Sequence, residues 1–241
     1  MRTIVISQPM FFPWAGMLEQ MCLADAYVHY DDVQFSKGSF TNRVQIKTAM
    51  GVQWLTVPLR DLHLGQRILE VVVDNRQDWR KKHLLTLSKA YDQAPFKEEM
   101  LSLVRMVYEK PANTICELAI SSMMALHGYF GFSKPCEFNW SSRLGIAGNS
   151  SARVLAVVKH LRGNVYITGH GARHYLDHEW FEREGVQVKY IDYQKRTYQQ
   201  LHGEFTPFIS ALDLIANEGK AGERIITSGT VPWRDFMKTH E

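Results

Sequence analysis

Cysteine is scarce in this chain. Cys22, Cys116 and Cys136 are the only three among 241 residues. Their number is odd and no two form a CxxC pair, so neither a disulfide framework nor a cysteine zinc site is indicated. Such usage fits a reducing compartment. Long apolar runs are also missing. None reaches the ~18–20 residues needed to cross a bilayer, and the opening stretch Met1–Ser7 stops at Gln8-Pro9, too short for a secretory signal. A cytoplasmic location with no membrane partner is therefore expected. Neither sign of charge dominates. The formal net charge is +3, which permits an anionic partner such as a nucleotide or a tRNA but lacks the basic stripe of a dedicated DNA binder, and no DNA partner is expected. No GxSxG, HExxH, GxxxxGK[ST] or Cys–His signature occurs, which disfavours a hydrolase triad, a zinc protease or a P-loop enzyme.

What is present reads as an ordinary globular chain. Hydrophobic residues make up 45% and charged residues 22%, enough to bury a sizeable core. Thr3–Ser7 is a β-branched run, so it reads as a buried strand. Pro9 and Pro13 keep the next residues extended or turned. A helix is expected over about Trp14–Ala24 and a second strand over Ala26–Tyr30. This is a β-loop-α-β unit. If its strands are parallel neighbours, Gln8 and Asp31 lie beyond their carboxyl ends and open onto one crevice, where open α/β sheets bind ligands.

Strands are further expected over Gln53–Leu59 and Ile68–Val73, and helices over Gln77–Tyr91, Pro95–Tyr108 and Pro111–Tyr129. Residues 77–132 could thus form a helical subdomain. A strand over Glu137–Trp140 follows, then a helix after Asn149-Ser150-Ser151 that stops at Gly163. Val165–Thr168 and Val186–Ile191 read as parallel strands joined by Gly169-His170-Gly171 and a helix near Ala172–Glu184. A last helix covers about Pro207–Asn217, and disorder is expected only in the last few residues. The expected class is α/β: one domain over residues 1–241, a mostly parallel open sheet with flanking helices and a helical middle segment.

Five clusters carry candidate chemistry. Gln8 has both donor and acceptor groups on a loop stiffened by two prolines, with Phe12 and Trp14 beside it; a rigid turn with buried aromatics is the competing reading. Asp31 and Asp32 can orient an amine or act as a base. Strand alternation points them to opposite sides, which favours Asp31 for the crevice and a structural role for Asp32; backbone-capping turn residues are the alternative. Gln34 follows in the same segment. Asn42-Arg43 pairs amide recognition with a bidentate grip for carboxylate or phosphate, or else makes an internal salt bridge. Gly169, Gly171 and Arg173 surround His170 at a strand-to-helix turn, which can cradle an anion on backbone amides with His170 as acid or base; an exposed loop histidine is the bland outcome. Tyr198 opens a segment in which Ser210 and Asp213 suit a helix start. Among basic residues only Arg76 and Arg80–His83 are compact, either a solvated helix face or a phosphate contact.

Taken together, these segments resemble the WbqC-like family of bacterial proteins encoded largely in surface-polysaccharide (O-antigen) clusters. The residues that carry the likeness are Gln8-Pro9, Phe11-Phe12-Pro13 and Gly16; Asp31–Phe35; Asn42-Arg43; Leu55–Pro58; Trp79, Tyr91 and Ala94-Pro95; Gly169–Leu176; and Tyr198, Gln200, Phe205, Pro207, Ser210, Asp213 and Ile215. The likeness spans about residues 4–217. It implies sugar modification: transfer of an acyl or aminoacyl group, glycine for example, onto the amino group of a nucleotide-linked sugar. The partners it implies are that sugar and an acyl or aminoacyl donor such as an aminoacyl-tRNA, with no cofactor and no metal. On this reading Asp31 or His170 is the base, and Gln8, Phe12, Trp14, Gln34, Asn42, Arg43, Gly169, Gly171, Arg173 and Tyr198 bind substrate. Two other readings stand beside it: a non-catalytic sugar-nucleotide or glycan-binding accessory protein, with Phe11, Phe12 and Trp14 as a stacking platform, and a metal-dependent enzyme built on Asp31-Asp32 and a histidine.

Overall fold

The computed structural model describes residues 1–239; the final residues, for which disorder is expected, lie in part outside them. The first strand, β1 (Thr3–Ser7), is followed by α1 (Ala15–Leu23) and β2 (Ala26–His29). A hairpin comes next, β3 (Arg43–Thr48) with β4 (Gly51–Thr56), and then a two-residue ladder of β5 (Leu59–Arg60) with β6 (Val72–Val73). Three helices fill the middle: α2 (Trp79–Ala90), α3 (Lys97–Glu109) and α4 (Ile115–Phe130). The last third alternates: β7 (Glu137–Trp140), α5 (Ser150–His160), β8 (Val165–Thr168), α6 (His178–Arg183), β9 (Gln187–Asp192), α7 (Ala211–Glu218), β10 (Gly229–Pro232) and α8 (Trp233–Lys238).

Six of these strands form one sheet in the order β7-β2-β1-β8-β9-β10. All neighbours run parallel except β10, which lies antiparallel on β9. Parallel sheets are covered on both faces, and the burial here follows suit. Val5, Tyr27, Ile167 and Ile191 pack under α1, α4 and α7. Ile4, Val28, Tyr166 and Tyr190 pack under α5, α6 and α8 on the other face. β1 is buried throughout its centre, with Ile4 and Val5 fully enclosed. The result is a mixed α/β architecture with a mostly parallel sheet between helical layers. Among the described residues no helix is long and apolar enough to cross a membrane.

Several expected boundaries shift for local reasons. Gln53–Leu59 is not one strand: Val57 N–H turns to the Asn42 carbonyl, and the β4 ladder ends at Thr56 ahead of Pro58. Arg43–Thr48, not foreseen as a strand, pairs with β4 because its alternating pattern meets a partner across the Ala49-Met50 turn. Ile68–Glu70 is a short 3-10 turn rather than a strand. The helix expected over Ala172–Glu184 breaks in two, because Asp177 caps α6 by accepting from Trp180 N–H at 3.0 Å. The final strand and helix, β10 and α8, were also not foreseen.

His29 on β2 is fully enclosed among Tyr27, Phe138 and Trp140, and neither ring nitrogen has a hydrogen-bond partner. Burial pushes its pKa down to about 4 from an ordinary 6.5. The unfolded chain therefore binds one more proton than the fold between pH 6.5 and 4. Stability from the neutral ring is complete above pH 6.5 and lost towards pH 4, by about 1.4 kcal/mol per pH unit. Burial raises Glu19 to about 7 and Asp213 to about 6, which tilts the overall profile the other way, so the informative quantity is a difference. His29→Phe should gain stability relative to the parent by about 1.4 kcal/mol per unit as pH falls from 6.5 to 4.5. Denaturant titrations of both proteins at several pH values test this; parallel profiles would refute it.

Candidate functional site

The strand order changes direction between β1 and β8. From β1 the chain winds outward through β2 to β7, and from β8 it winds the other way through β9. Loops beyond the carboxyl ends of two such strands diverge and leave a crevice. One of about 700 Å3 opens there, within the range of small-molecule sites. Ser7 and Gln8 line it from β1, and Thr168, Gly169 and Gly171 from β8. Tyr30, Asp32 and Gln34 come from the segment after β2, Met17 and Gln20 from α1, and Gly148–Ser150 and Arg153 from the start of α5.

The charged wall is an ion pair. Arg153 Nη2 meets Asp32 Oδ2, both side chains nearly buried, while Arg153 Nε donates to the Ile146 carbonyl at 3.0 Å. The guanidinium also lies 5.1 Å from the Tyr30 ring centre. Burial by itself would raise the Asp32 carboxyl, but hydrogen bonds from Arg153 and Ser141 outweigh it and hold the group below its ordinary value. α5 begins in the same wall. Asn149 occupies the N-cap position expected of it, yet its side chain caps no amide. The first-turn N–H groups and the positive end of the helix dipole thus stay available on the crevice side. Opposite, Gln20 Nε2 donates to Tyr193 Oη at 2.8 Å, fixing another lining pair.

Gln8, Gln34, Gly169 and Gly171 stand in the crevice lining as expected. The Gln8 side-chain amide makes no hydrogen bond among the described residues and remains open to a ligand. The two aspartates are placed the other way round from the strand-alternation reading. β2 ends at His29 and the chain turns at Asp31-Asp32, so alternation no longer applies. Asp31 is buried and accepts from Ser142 N–H at 2.9 Å and Ser142 Oγ at 2.7 Å, with Ser141 Oγ 2.9 Å away. It ties β2 to the turn after β7, and Asp32 faces the crevice.

Most other expected contacts lie outside the lining. Phe12 is buried in the core, its N–H held by Ser122 Oγ at 2.8 Å and its carbonyl by Ser210 Oγ at 2.7 Å. Trp14 packs on Tyr193 and Phe208 and covers Gly16, where a Cβ would come within 2.1 Å of the indole. Asn42 Nδ2 donates to the Val57 carbonyl, and Arg43 stacks on Trp54. His170 Nε2 donates to the Ile191 carbonyl of β9 at 2.9 Å with its ring against Phe236. Arg173 Nε donates to His174 Nε2, and Tyr198 donates to the buried Asp213 at 2.8 Å. Ser210 is the N-cap of α7, accepting from Leu212 N–H. Among the described residues no three His, Cys, Asp or Glu side chains form a group able to hold a metal ion.

The sequence reading passed over Arg153, Tyr30, Gln20 and Tyr193. Arg153 did carry a signal. A buried cation in the first turn of a helix opposes the dipole, so something else must hold it; here that is Asp32.

The model of the WbqC-like protein family matches residues 8–225. An uncharacterized protein of Mycobacterium tuberculosis, Rv1507c, is 31% identical over 222 residues, which cover 91% of this chain and 95% of the relative. No solved structure matches.

The clamp on Phe12 gives a direct test. Ser122→Ala leaves the buried Phe12 N–H without an acceptor, at a cost of about 1–3 kcal/mol. Thermal melts should show a fall of roughly 2–4 °C per kcal/mol for a chain of this size. A melt unchanged within about 1 °C, well below the shift expected, would show that the clamp is not formed.

Proposed function

The chain belongs to the WbqC-like protein family, and from that premise we propose that it transfers an acyl or aminoacyl group, such as glycyl, onto the amino group of a nucleotide-linked sugar during surface-polysaccharide assembly. The observation that carries this reading is the crevice where the strand order reverses, with Arg153 and the uncapped start of α5 in its wall. Sheets wound in this order bind nucleotides there, and helix N-termini take phosphate.

Each lining group has a part in that reaction. Arg153 and the first amides of α5 hold the diphosphate. Asp32, kept ionised in the free protein, accepts hydrogen bonds from the sugar ammonium. A phosphate that draws Arg153 towards itself removes the group that depresses Asp32, so ligand binding makes this carboxylate a better acceptor for the ammonium proton. The freed amine attacks the acyl carbonyl, a C–N bond forms, and the C–O or C–S bond to the donor breaks as its alcohol or thiol leaves. Backbone amides at Gly169–Gly171 are donors for the oxyanion of the tetrahedral intermediate, and Gln8 reads a sugar hydroxyl.

One observation favours the accessory-protein reading: Asp31 and His170, the two expected bases, are both committed to internal hydrogen bonds. Incubation with nucleotide-linked amino sugars and acyl donors, aminoacyl-tRNA included, separates the two readings. The transferase reading expects a mass gain on the sugar, and binding without any gain supports the accessory role.

Binding itself has a sharper test. Arg153→Gln should weaken a dTDP-linked amino sugar by about 10–100-fold in calorimetry, the equivalent of losing 1.5–3 kcal/mol of charged hydrogen bonding. Equal affinity of variant and parent would remove Arg153 from the phosphate role.

A further inference from the structure

Arg43, expected in the crevice, instead stands on the outer face of the β3–β4 hairpin, and its surroundings suit a different ligand. Its guanidinium carbon lies 4.1 Å from the centre of the Trp54 ring. Phe40 meets the same indole with ring centres 5.6 Å apart. Trp54 is 41% exposed although it is a large aromatic on a short hairpin. The Arg43 side chain makes no hydrogen bond or ion pair among the described residues, and its Nε is buried with no acceptor. An arginine held in that way contributes little to stability. Its planar face is fixed and its charge is unspent.

The turn ahead of the hairpin carries a further unpaired cation. Lys37 is exposed in the turn that brings Gly38 against the Arg43 guanidinium. An aromatic platform thus lies beside two cations, Arg43 and Lys37, that meet no acidic side chain among the described residues. A single nucleotide gains little on such a face, whereas a strand gains from each successive base and phosphate.

We infer that the hairpin face formed by Phe40, Arg43 and Trp54, with Lys37 in the turn beside it, is a binding surface for single-stranded RNA. A base stacks on Trp54 and the flanking phosphates meet Arg43 and Lys37. Its link to the donor, as a grip on the unpaired end of an aminoacyl-tRNA, rests on the transferase reading; the stacking surface does not.

Fluorescence anisotropy with a fluorescein-labelled ten-nucleotide (about one strand's worth of such contacts) single-stranded RNA tests it. Binding should weaken with salt, the logarithmic slope being about −0.7 for each phosphate contact, and should quench tryptophan emission. Trp54→Ala should weaken it about 5–100-fold, and Arg43→Gln should reduce the salt slope by about 0.7. Trp54→Phe, which keeps a ring, should retain most of the affinity. Absence of binding by the parent protein in low salt, equal affinity for duplex DNA, or unchanged binding by both Trp54→Ala and Arg43→Gln would overturn the inference. Calorimetry with a dTDP-linked amino sugar keeps the two readings apart. Trp54→Ala should bind that sugar like the parent, and failure of the parent protein to bind the sugar while it binds RNA would count against the crevice reading alone.

Discussion

Phe12 holds a backbone angle that only glycine adopts freely, with φ at +40°, and two buried serines keep it there. Such a conformation costs on the order of 1–3 kcal/mol and persists only where its surroundings fix it. Ser122 of α4 accepts from its N–H, and Ser210, the cap of α7, donates to its carbonyl. Next to it Phe11 N–H bonds the Phe40 carbonyl, and Ala211 N–H bonds the Pro13 carbonyl. The loop after β1 therefore joins the hairpin, the helical middle and the last third of the chain at one place. Because that loop is fixed, Gln8 is held at the lip of the crevice and α1 starts where Met17 and Gln20 can line it.

The polar groups of the crevice arise from a second economy. β2 and β7 end side by side, and the turn after β7 presents Ser141 and Ser142 to the two aspartates after β2. Asp31 satisfies that turn. Asp32 is left to face Arg153, and the pair forms the charged wall. A carboxylate and a guanidinium that neutralise one another in the free protein can each be drawn off by a ligand of opposite charge, so the wall suits a substrate carrying both a phosphate and an amine. Outside the crevice no such neutralisation occurs at Arg43, which is why the hairpin face reads as a separate surface with its own class of partner.

Legibility differed sharply between the two levels. Strands such as β1 and β8 were readable to the residue, since continuous β-branched and aromatic runs bounded by turn residues admit few other conformations. The parallel β1–α1–β2 unit and its crevice were readable too, because Gln8 had to lie beyond the end of a buried strand. Arg43–Thr48 was missed as a strand although its alternation is plain, since the pattern gains meaning only with β4 across the turn. The single helix expected after Gly171 broke because Asp177 found a cap, a contest that propensity alone does not decide.

By itself the sequence determined the class of fold and the place of the crevice, because burial periodicity and strand ends are local properties of the chain, and its motifs carried the resemblance to the family. Which polar groups enter the crevice was decided by tertiary structure. Asp31 and Asp32 are adjacent and chemically alike; only the hydroxyls of Ser141 and Ser142, more than a hundred residues away, determine which is consumed. The same holds for His170, taken up by the Ile191 carbonyl, and for Arg153, a helix residue whose partner lies 121 positions earlier. A side chain's chemistry is written in its own position, but whether that chemistry remains free for a ligand depends on what distant parts of the chain bring to it.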